Sequence, residues 1–450
     1  PVAYPKETKA NILASFRRGL QRSLPPTLLN DPIFQDFSVE ERASEPAAYA
    51  AAALPHYKVA PTPEGQAYAV FDFGGGTTDF DFGYYRLPTA EEEDAGYEQV
   101  FEHFGAAGDR FLGGENLLEN MAYLTFKHNL ELCRKHKIAF SKPLDAEDFP
   151  GSDMFLEKTQ AAQTNTLMLM AKLRPLWETG HYANTSGVEK MGLLPRDSHT
   201  KVECDLAIPV DALKAYLEKR IEEGVFNFLA AMHKAFTAEG TPPAHLVILL
   251  AGNASRSTLV LSFFGLIAEG AEEADHTRTQ SMKGRLAALF GDQLPTVVPY
   301  PPIPMDATKP YQPTAKTGVA LGLLSLCPGN PTLVINHTAR TAGDNAPFQF
   351  YVGRIRQGLF QPGLKQGQVY GEWHELGTPA ERVFNLVYTQ SPQAHTEKMP
   401  KDDPSLRYKK LTLAGESHGQ RVFGRAMSPA EIELCTATSL EALNEGAQEN

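Results

Sequence analysis

The sequence has no surplus of basic residues: 42 Lys and Arg stand against 54 Asp and Glu, a formal net charge of −12. With nothing in excess to neutralise phosphates or anionic lipid, neither nucleic acid nor a membrane surface is expected as a partner. Long apolar runs are lacking too. The longest, LVILLAG and LVLSFFGLIA, fall far short of the roughly 20 residues that cross a bilayer. Cysteine is scarce. Cys133, Cys204, Cys327 and Cys435 lie far apart, with no C-x-x-C and no metal-ligand spacing. Free thiols in a reducing, cytoplasmic setting are the simplest expectation, although four cysteines could form two bridges. Histidine occurs 13 times but never as H-E-x-x-H, so a zinc hydrolase finds no support. The opening PVAYPKETK has no initiator Met, no basic n-region and no apolar h-region. Either a Met was trimmed ahead of Pro1 or the chain is a piece of something longer.

What is present is ordinary globular material. The 450 residues suggest two to four domains, and 42% apolar with 21% charged residues sets aside disorder and fibres. KANILASFRRGL, residues 9–20, places Ile12, Leu13, Phe16 and Leu20 on one helical face. SEPAAYAAAALPHY reads as an Ala-rich helix with Ser44 as cap and Pro46 in the first turn. GENLLENMAYLTFKHNLELCRKH is helical in period, and residues 145–165 are irregular. DALKAYLEKRIEEGVFNFLAAMHKAF is a long amphipathic helix carrying Leu213, Leu217, Ile221, Val225 and Leu229 at intervals of four. HLVILL is a short buried strand, AGNASRS a turn and TLVLSFFGLIAEG a helix. The acidic run EEEDAGYE reads as a solvated loop or edge. Beyond SLCPGNPTL the pattern changes to short Val/Phe/Tyr/Leu runs between Gly/Pro turns, such as FQFYVGRI, RVFNLVY and KKLTLAG, which predicts a β-rich end after an α/β body.

One stretch carries chemistry. In AVFDFGGGTTDFDF the two arms alternate, with Val70 and Asp72 on one and Phe80 and Phe82 on the other, which predicts a β-hairpin tipped by Gly74, Gly75, Gly76 and Thr77. Glycines let a backbone approach a ligand and turn its N–H groups toward an anion. An aspartate beside a phosphate repels it unless a cation intervenes. Asp72 and Asp79 therefore suit a Mg²⁺ held mostly through water, with a carboxylate also placed to orient an attacking water. A tight hairpin with solvated aspartates is the plain alternative.

The stretch resembles the second phosphate loop, D-x-G-G-G-T-x-D, of the heat-shock-seventy (DnaK-type) chaperones in the actin-like ATPase superfamily. It matches at Asp72, Gly74, Gly75, Gly76, Thr77 and Asp79. Further stretches agree in order. Residues 2–20 look like the V-P-A-Y strand end and its helix, and SEPAAYAAAALPHY looks like N-E-P-T-A-A-A-x-A-Y. GDRFLGGENLLEN resembles G-D-x-x-L-G-G-E-D-F-D, VILLAGNASRS the adenosine loop V-G-G-S-x-R, and GVALGLL the closing A-V-A-x-G-A-A helix.

The resemblance implies an actin-like (ribonuclease-H-like) α/β fold that binds ATP or ADP with Mg²⁺. It implies that Glu45, Asp72 and Thr77 organise water and metal at the terminal phosphate, and that Asp79 holds the Mg²⁺ shell. Gly113, Gly114 and Glu115 would border the phosphates. Gly252, Asn253, Ser255 and Arg256 would form the nucleoside loop, Arg256 stacking on adenine, and Lys172 would meet the ribose. The plain readings are an acid-paired arginine at a helix start for Arg256 and a dipole-complementing carboxylate for Glu45. The sequence also departs from the pattern. The first phosphate loop, D-x-G-T-T-x-S, has no counterpart and is expected upstream of Pro1. The adenosine loop is one residue longer. In LMAKLRPLWE, Leu169 stands where the family has a glutamate and Pro175 is expected to interrupt the helix; Lys316 stands where the family has an acid.

The resulting expectation is a lobe I end at 1–66, a lobe II nucleotide-binding core at 67–115 and 241–327, its inserted subdomain at 116–240, and a β-rich domain at 328–450. GLFQPGLKQGQVY and VFNLVYTQSP resemble, loosely, strands of the family's peptide-binding sandwich. The complete protein is expected to couple Mg-ATP hydrolysis to client binding, with unfolded client peptides and co-chaperones as partners and hydrolysis impaired in this chain. Two alternatives stay open: a non-hydrolysing actin-like interaction module, and a small-molecule kinase of the same superfamily. GESHG, residues 415–419, fits G-x-S-x-G at Ser417, but no histidine follows His418, so a hairpin turn is preferred to a nucleophile elbow.

Overall fold

A computed structural model describes residues 6–446 apart from 33–38, 40–42, 110, 144, 147–148, 150, 241, 268–275, 328, 338–347, 349, 392–393, 395–396, 398, 404, 414–418 and 429–430. Residues 1–5 and Ser417, with most of GESHG, thus lie outside the described residues. The chain is a mixed α/β protein. No helix among the described residues is long and apolar enough to cross a membrane. All four cysteines are free thiols.

The largest sheet has six strands: β1 (Gln66–Phe73), β2 (Thr78–Arg86), β3 (Gln99–Asp109), β6 (His245–Ala251), β7 (Thr296–Tyr300) and β8 (Thr332–Asn336). They lie in the order β7-β6-β1-β2-β3-β8. β1, β2 and β3 form an antiparallel meander; β6 runs parallel to β1, β7 to β6 and β8 to β3. The predicted hairpin is there, with Asp72 and Asp79 directly opposite each other in its register. Between β3 and β6 in the chain lies the separate hairpin of β4 (Val188–Leu193) and β5 (Val202–Ala207), whose Met191, Leu193, Cys204 and Leu206 join the core on one face of the large sheet.

Both faces of the sheet are buried, as expected for strands that read as nearly continuous apolar runs. Ala67, Ala69, Phe71 and Phe73 face one core, where Phe71 stacks on Phe80 with centroids 5.6 Å apart and Phe228 meets both edge-on. Phe228 belongs to the helix Val210–Ala238, whose Leu213, Leu217, Ile221, Val225 and Leu229 are all buried. Tyr68 and Val70 face the second core, beneath the helix Glu45–His56. The Ser44 hydroxyl caps that helix by accepting the Ala47 N–H (3.2 Å), and Pro46 fills its first turn.

The helix Gly318–Ser325 packs against this Ala-rich face so closely that a Cβ on Gly322 would lie 1.7 Å from the Ala48 carbonyl oxygen. The contact depends on small residues on both sides. Gly322→Ala is expected to force the two helices apart and cost about 2 kcal/mol of unfolding free energy, measured by urea denaturation.

Four elements differ from the sequence expectation. The acidic run read as a loop or edge contains a short helix, Ala90–Asp94, capped by the Thr89 hydroxyl. The helix Gln160–Thr179 begins inside the segment read as irregular and runs through Pro175. Pro175 removes a single i→i−4 bond. Burial of Leu173, Leu176 and Trp177 holds the last turn until Gly180, at φ 74°, ends it. Among the described residues of TLVLSFFGLIAEG, helix covers only Thr258–Phe263, after which Gly265 adopts φ 69°. Thr332–Asn336, read with the β-rich end, instead joins the large sheet beside β3.

Most of the other elements of the C-terminal portion are strands, followed by the helix Leu440–Gly446. β9 (Tyr351–Arg356), β10 (Leu359–Leu364), β12 (Val383–Thr389) and β13 (Arg407–Thr412) form one sheet, and β11 (His374–Gly377), β14 (Arg421–Ser428) and β15 (Glu431–Ala437) another. Val352, Leu364 and Phe384 from the first share a core with Leu376 and Val422 from the second, the packing of a β-sandwich.

Candidate functional site

Three turns converge at the ends of β1 and β6: the glycine tip 74–77, the segment 112–115 leading into the helix Gly114–His128, and the loop 252–256 after β6. Their contacts are made by backbone. The Gly74 N–H donates to the Thr77 carbonyl (2.9 Å), closing the tip. The Gly114 and Glu115 N–H groups, two of the orphan donors of a helix start, donate to the Gly74 and Gly75 carbonyls at 3.0 and 2.8 Å. A Cβ on Gly113 would lie 2.4 Å from the Gly75 oxygen, so only glycine allows that approach. The Thr78 hydroxyl donates to the Leu112 carbonyl, fixing the segment from its other side. Gly75 and Gly76 are exposed, and their N–H groups have no protein acceptor among the described residues. They are therefore open to an anion.

The two aspartates lie at the base of this tip. Asp79 is buried and accepts a hydrogen bond from the Thr77 hydroxyl (3.0 Å). Asp72 is largely buried, and its pKa is pushed up to about 7, first by burial, then by the Asp79 and Glu45 carboxylates. Glu45 begins the helix above this face, so its charge reaches Asp72 although its side chain is exposed. Tyr49, one turn further on, also senses Asp72; burial pushes its phenol up, and its oxygen accepts the Ile303 N–H (3.0 Å). The two carboxylates are thus opposed in a partly dry place.

Gly252 follows Asp72's parallel partner Ala251 and has φ 78°; a Cβ there would meet the Phe73 carbonyl oxygen at 2.2 Å and Asp72 Oδ1 at 2.6 Å. Asn253 and Arg256 are exposed beside it. Arg256 pairs with no acid among the described residues, unlike its plain reading. Ser255 is fully buried, its hydroxyl without a partner, so its side chain faces the protein rather than the open side of the loop.

Lys172 is not brought here. It pairs with Glu189 Oε1 (2.8 Å) on β4. Two positions on in the same helix, and so about 200° around it, Arg174 holds both Glu115 oxygens at 2.9 and 3.0 Å. Arg174 is the cation that borders the segment 112–115, and sequence reasoning missed it. Its signal was the helical phase of LMAKLRPLWE: buried Leu169, Leu173 and Trp177 fix which side turns toward the tip, and Trp177 lies against Phe73 (centroids 5.8 Å). Ser257 ties the third turn to the same helix by donating to the Trp177 carbonyl (3.0 Å).

The arrangement can offer backbone N–H groups to a phosphate and two carboxylates to a cation. Among the described residues no group of three or more His, Cys, Asp or Glu is arranged to hold a metal by itself. No protein-family model and no curated protein matches the chain.

Proposed function

We propose that the chain is part of a DnaK-type, actin-like ATPase and that the convergent turns bind Mg-ATP or Mg-ADP. The observation that carries this reading is the opposed pair Asp72 and Asp79 at the base of an open glycine tip. The sheet, an antiparallel meander extended by parallel strands with its turns gathered at one end, supports the ribonuclease-H-like lobe that the resemblance implies. Asp72 and Asp79 would hold the metal, which when bound supplies positive charge to the phosphates. The Gly75 and Gly76 N–H groups would receive phosphate oxygens, and Thr77 would keep Asp79 oriented. Glu45 and Asp72 would accept a proton from water at the terminal phosphate; Arg256 would cover the base. In this reading the β-sandwich binds an unfolded client segment, with affinity set by the nucleotide.

A second reading, a non-hydrolysing interaction module, draws on the Gly114 and Glu115 N–H groups. They are spent on the tip's carbonyls instead of facing the place a phosphate would take. Calorimetric titration with Mg-ATP tests the first reading. Saturable binding by the chain, lost in the Asp72→Asn, Asp79→Asn double variant, is the expected result; no binding at millimolar nucleotide would overturn it. Binding without turnover by the longest natural form of the protein would favour the module.

A further inference from the structure

The helix Val210–Ala238 carries two residues, one turn apart, that meet the chain just before it borders the glycine tip. Arg220 donates from Nη2 to Asp109 Oδ2 (2.9 Å), and both side chains are largely buried, 12% and 6% exposed. Glu223 stands farther from the arginine, at 3.7 Å, which leaves Asp109 as its nearer acid. The other carboxylate oxygen of Asp109 accepts the Phe111 N–H (2.8 Å). One carboxylate thus closes the end of β3 and starts the turn after it, and the arginine holds that carboxylate by a charge-assisted bond. Gly224 makes the second contact. Its missing Cβ would lie 2.1 Å from Leu112 Cδ2, so the fully buried Leu112 side chain takes the space a larger residue would need.

These contacts lead into the candidate site. Thr78 lies opposite Asp109 in the register of β2 and β3, and its hydroxyl donates to the Leu112 carbonyl. The next three residues, Gly113, Gly114 and Glu115, are those whose backbone packs on Gly74, Gly75 and Gly76. Asp109, Phe111 and Leu112 therefore tie the tip to the position of one helix. The loop 252–256 has other anchors: Ser257 donates to the Trp177 carbonyl on the helix Gln160–Thr179, and Gly252 lies against the Phe73 carbonyl of β1.

We infer that Arg220 is a positioning residue for phosphate recognition. Through Asp109, and with Gly224 seating Leu112 beside it, it sets where the glycine tip stands over Asp72 and Asp79. The inference rests on the nucleotide reading proposed above and adds to it a residue that lies outside the three convergent turns. A displacement of the tip by about 1 Å is enough to spoil bonds to a phosphate. The nucleoside loop, anchored elsewhere, would keep its place.

Calorimetric titration with Mg-ADP, and with adenosine as the probe that lacks phosphate, tests the inference. Arg220→Met alone strands a buried carboxylate and is expected to melt lower than the wild type. Asp109→Asn with Arg220→Met removes both charges, and the asparagine oxygen can still accept the Phe111 N–H, so this variant reads position without a stranded charge. Gly224→Ala presses on Leu112 and leaves the ion pair intact. The double variant and Gly224→Ala are each expected to weaken Mg-ADP about tenfold while adenosine stays within about twofold of the wild type. Arg220→Lys, which returns a cation to Asp109, should recover most of the Mg-ADP affinity. Wild-type affinity for Mg-ADP in the double variant would overturn the inference and leave the pair a structural one. Equal losses of Mg-ADP and adenosine would overturn it too, because the effect would then not be confined to the phosphates. Failure of the wild-type chain itself to bind Mg-ADP is the separate result that removes the nucleotide reading, and this inference with it.

Discussion

Asp72→Asn is expected to stabilise the ligand-free chain at about pH 8 while removing its response to Mg-nucleotide. Asp72 has its pKa pushed up to about 7 from an ordinary 3.8 by burial, by Asp79 opposite it and by Glu45 above. A carboxyl whose folded value lies above its unfolded one contributes its full stability below the unfolded value and loses it as the pH rises through the folded value. At about pH 8 the wild-type chain therefore holds an ionised carboxylate against its surroundings, at a cost on the order of 2–4 kcal/mol. Asparagine removes that cost. The melting difference should be largest at about pH 8, shrink as the pH falls below 7 and vanish by about pH 3, where Asp72 is protonated in both states. A variant that melts lower than the wild type at every pH would mean that Asp72 is held by hydrogen bonds to its charged form.

Gly252→Ala is expected to cost on the order of 3 kcal/mol or more and to abolish nucleotide binding with it. Two effects coincide at this position. The backbone has φ 78°, and the added Cβ would press on the Phe73 carbonyl at 2.2 Å and on Asp72 Oδ1 at 2.6 Å. Gly96→Ala separates them, because Gly96 has φ 92° but open space around its missing Cβ. That variant should lose only about 1 kcal/mol and bind nucleotide normally. Chemical denaturation of the two variants beside the wild type reads both values. Similar losses would mean that conformation alone, and not the packing of the loop on Asp72, makes glycine necessary at 252.

The hairpin was legible because every level of the sequence agrees on it. Alternating apolar residues make its arms, three glycines its tip, and the buried faces on both sides are written into Tyr68, Val70, Phe71 and Phe80. The Ala-rich helix was equally readable from Ser44 and Pro46. What could not be read depends on how distant segments pack. Lys172 and Arg174 are interchangeable by charge, and only the burial of Leu169 and Trp177 decides that the arginine turns toward Glu115. Thr332–Asn336 is an apolar run that would suit either sheet, and nothing local says that it pairs with β3.

Ser255 fits its loop by spelling, yet its side chain is buried. The cluster of Tyr68, Asp81 and His103 inside the sheet was invisible for the same reason. The Tyr68 hydroxyl meets His103 Nδ1 at 2.8 Å, and that nitrogen lies 2.9 Å from Asp81. These residues come from three strands, and a Cβ on Gly83 would strike the tyrosine hydroxyl at 2.6 Å.

The central claim is that Asp72 and Asp79 receive a cation together with a phosphate. The measurement that tests it most directly is the affinity for ADP with Mg²⁺ and with a chelator in its place, for the wild-type chain and the Asp72→Asn, Asp79→Asn variant. The account predicts that Mg²⁺ strengthens ADP binding at least about tenfold in the wild type and makes no difference in the variant. Equal ADP affinity with and without Mg²⁺ in the wild type, or a Mg²⁺ effect that survives both substitutions, would contradict it.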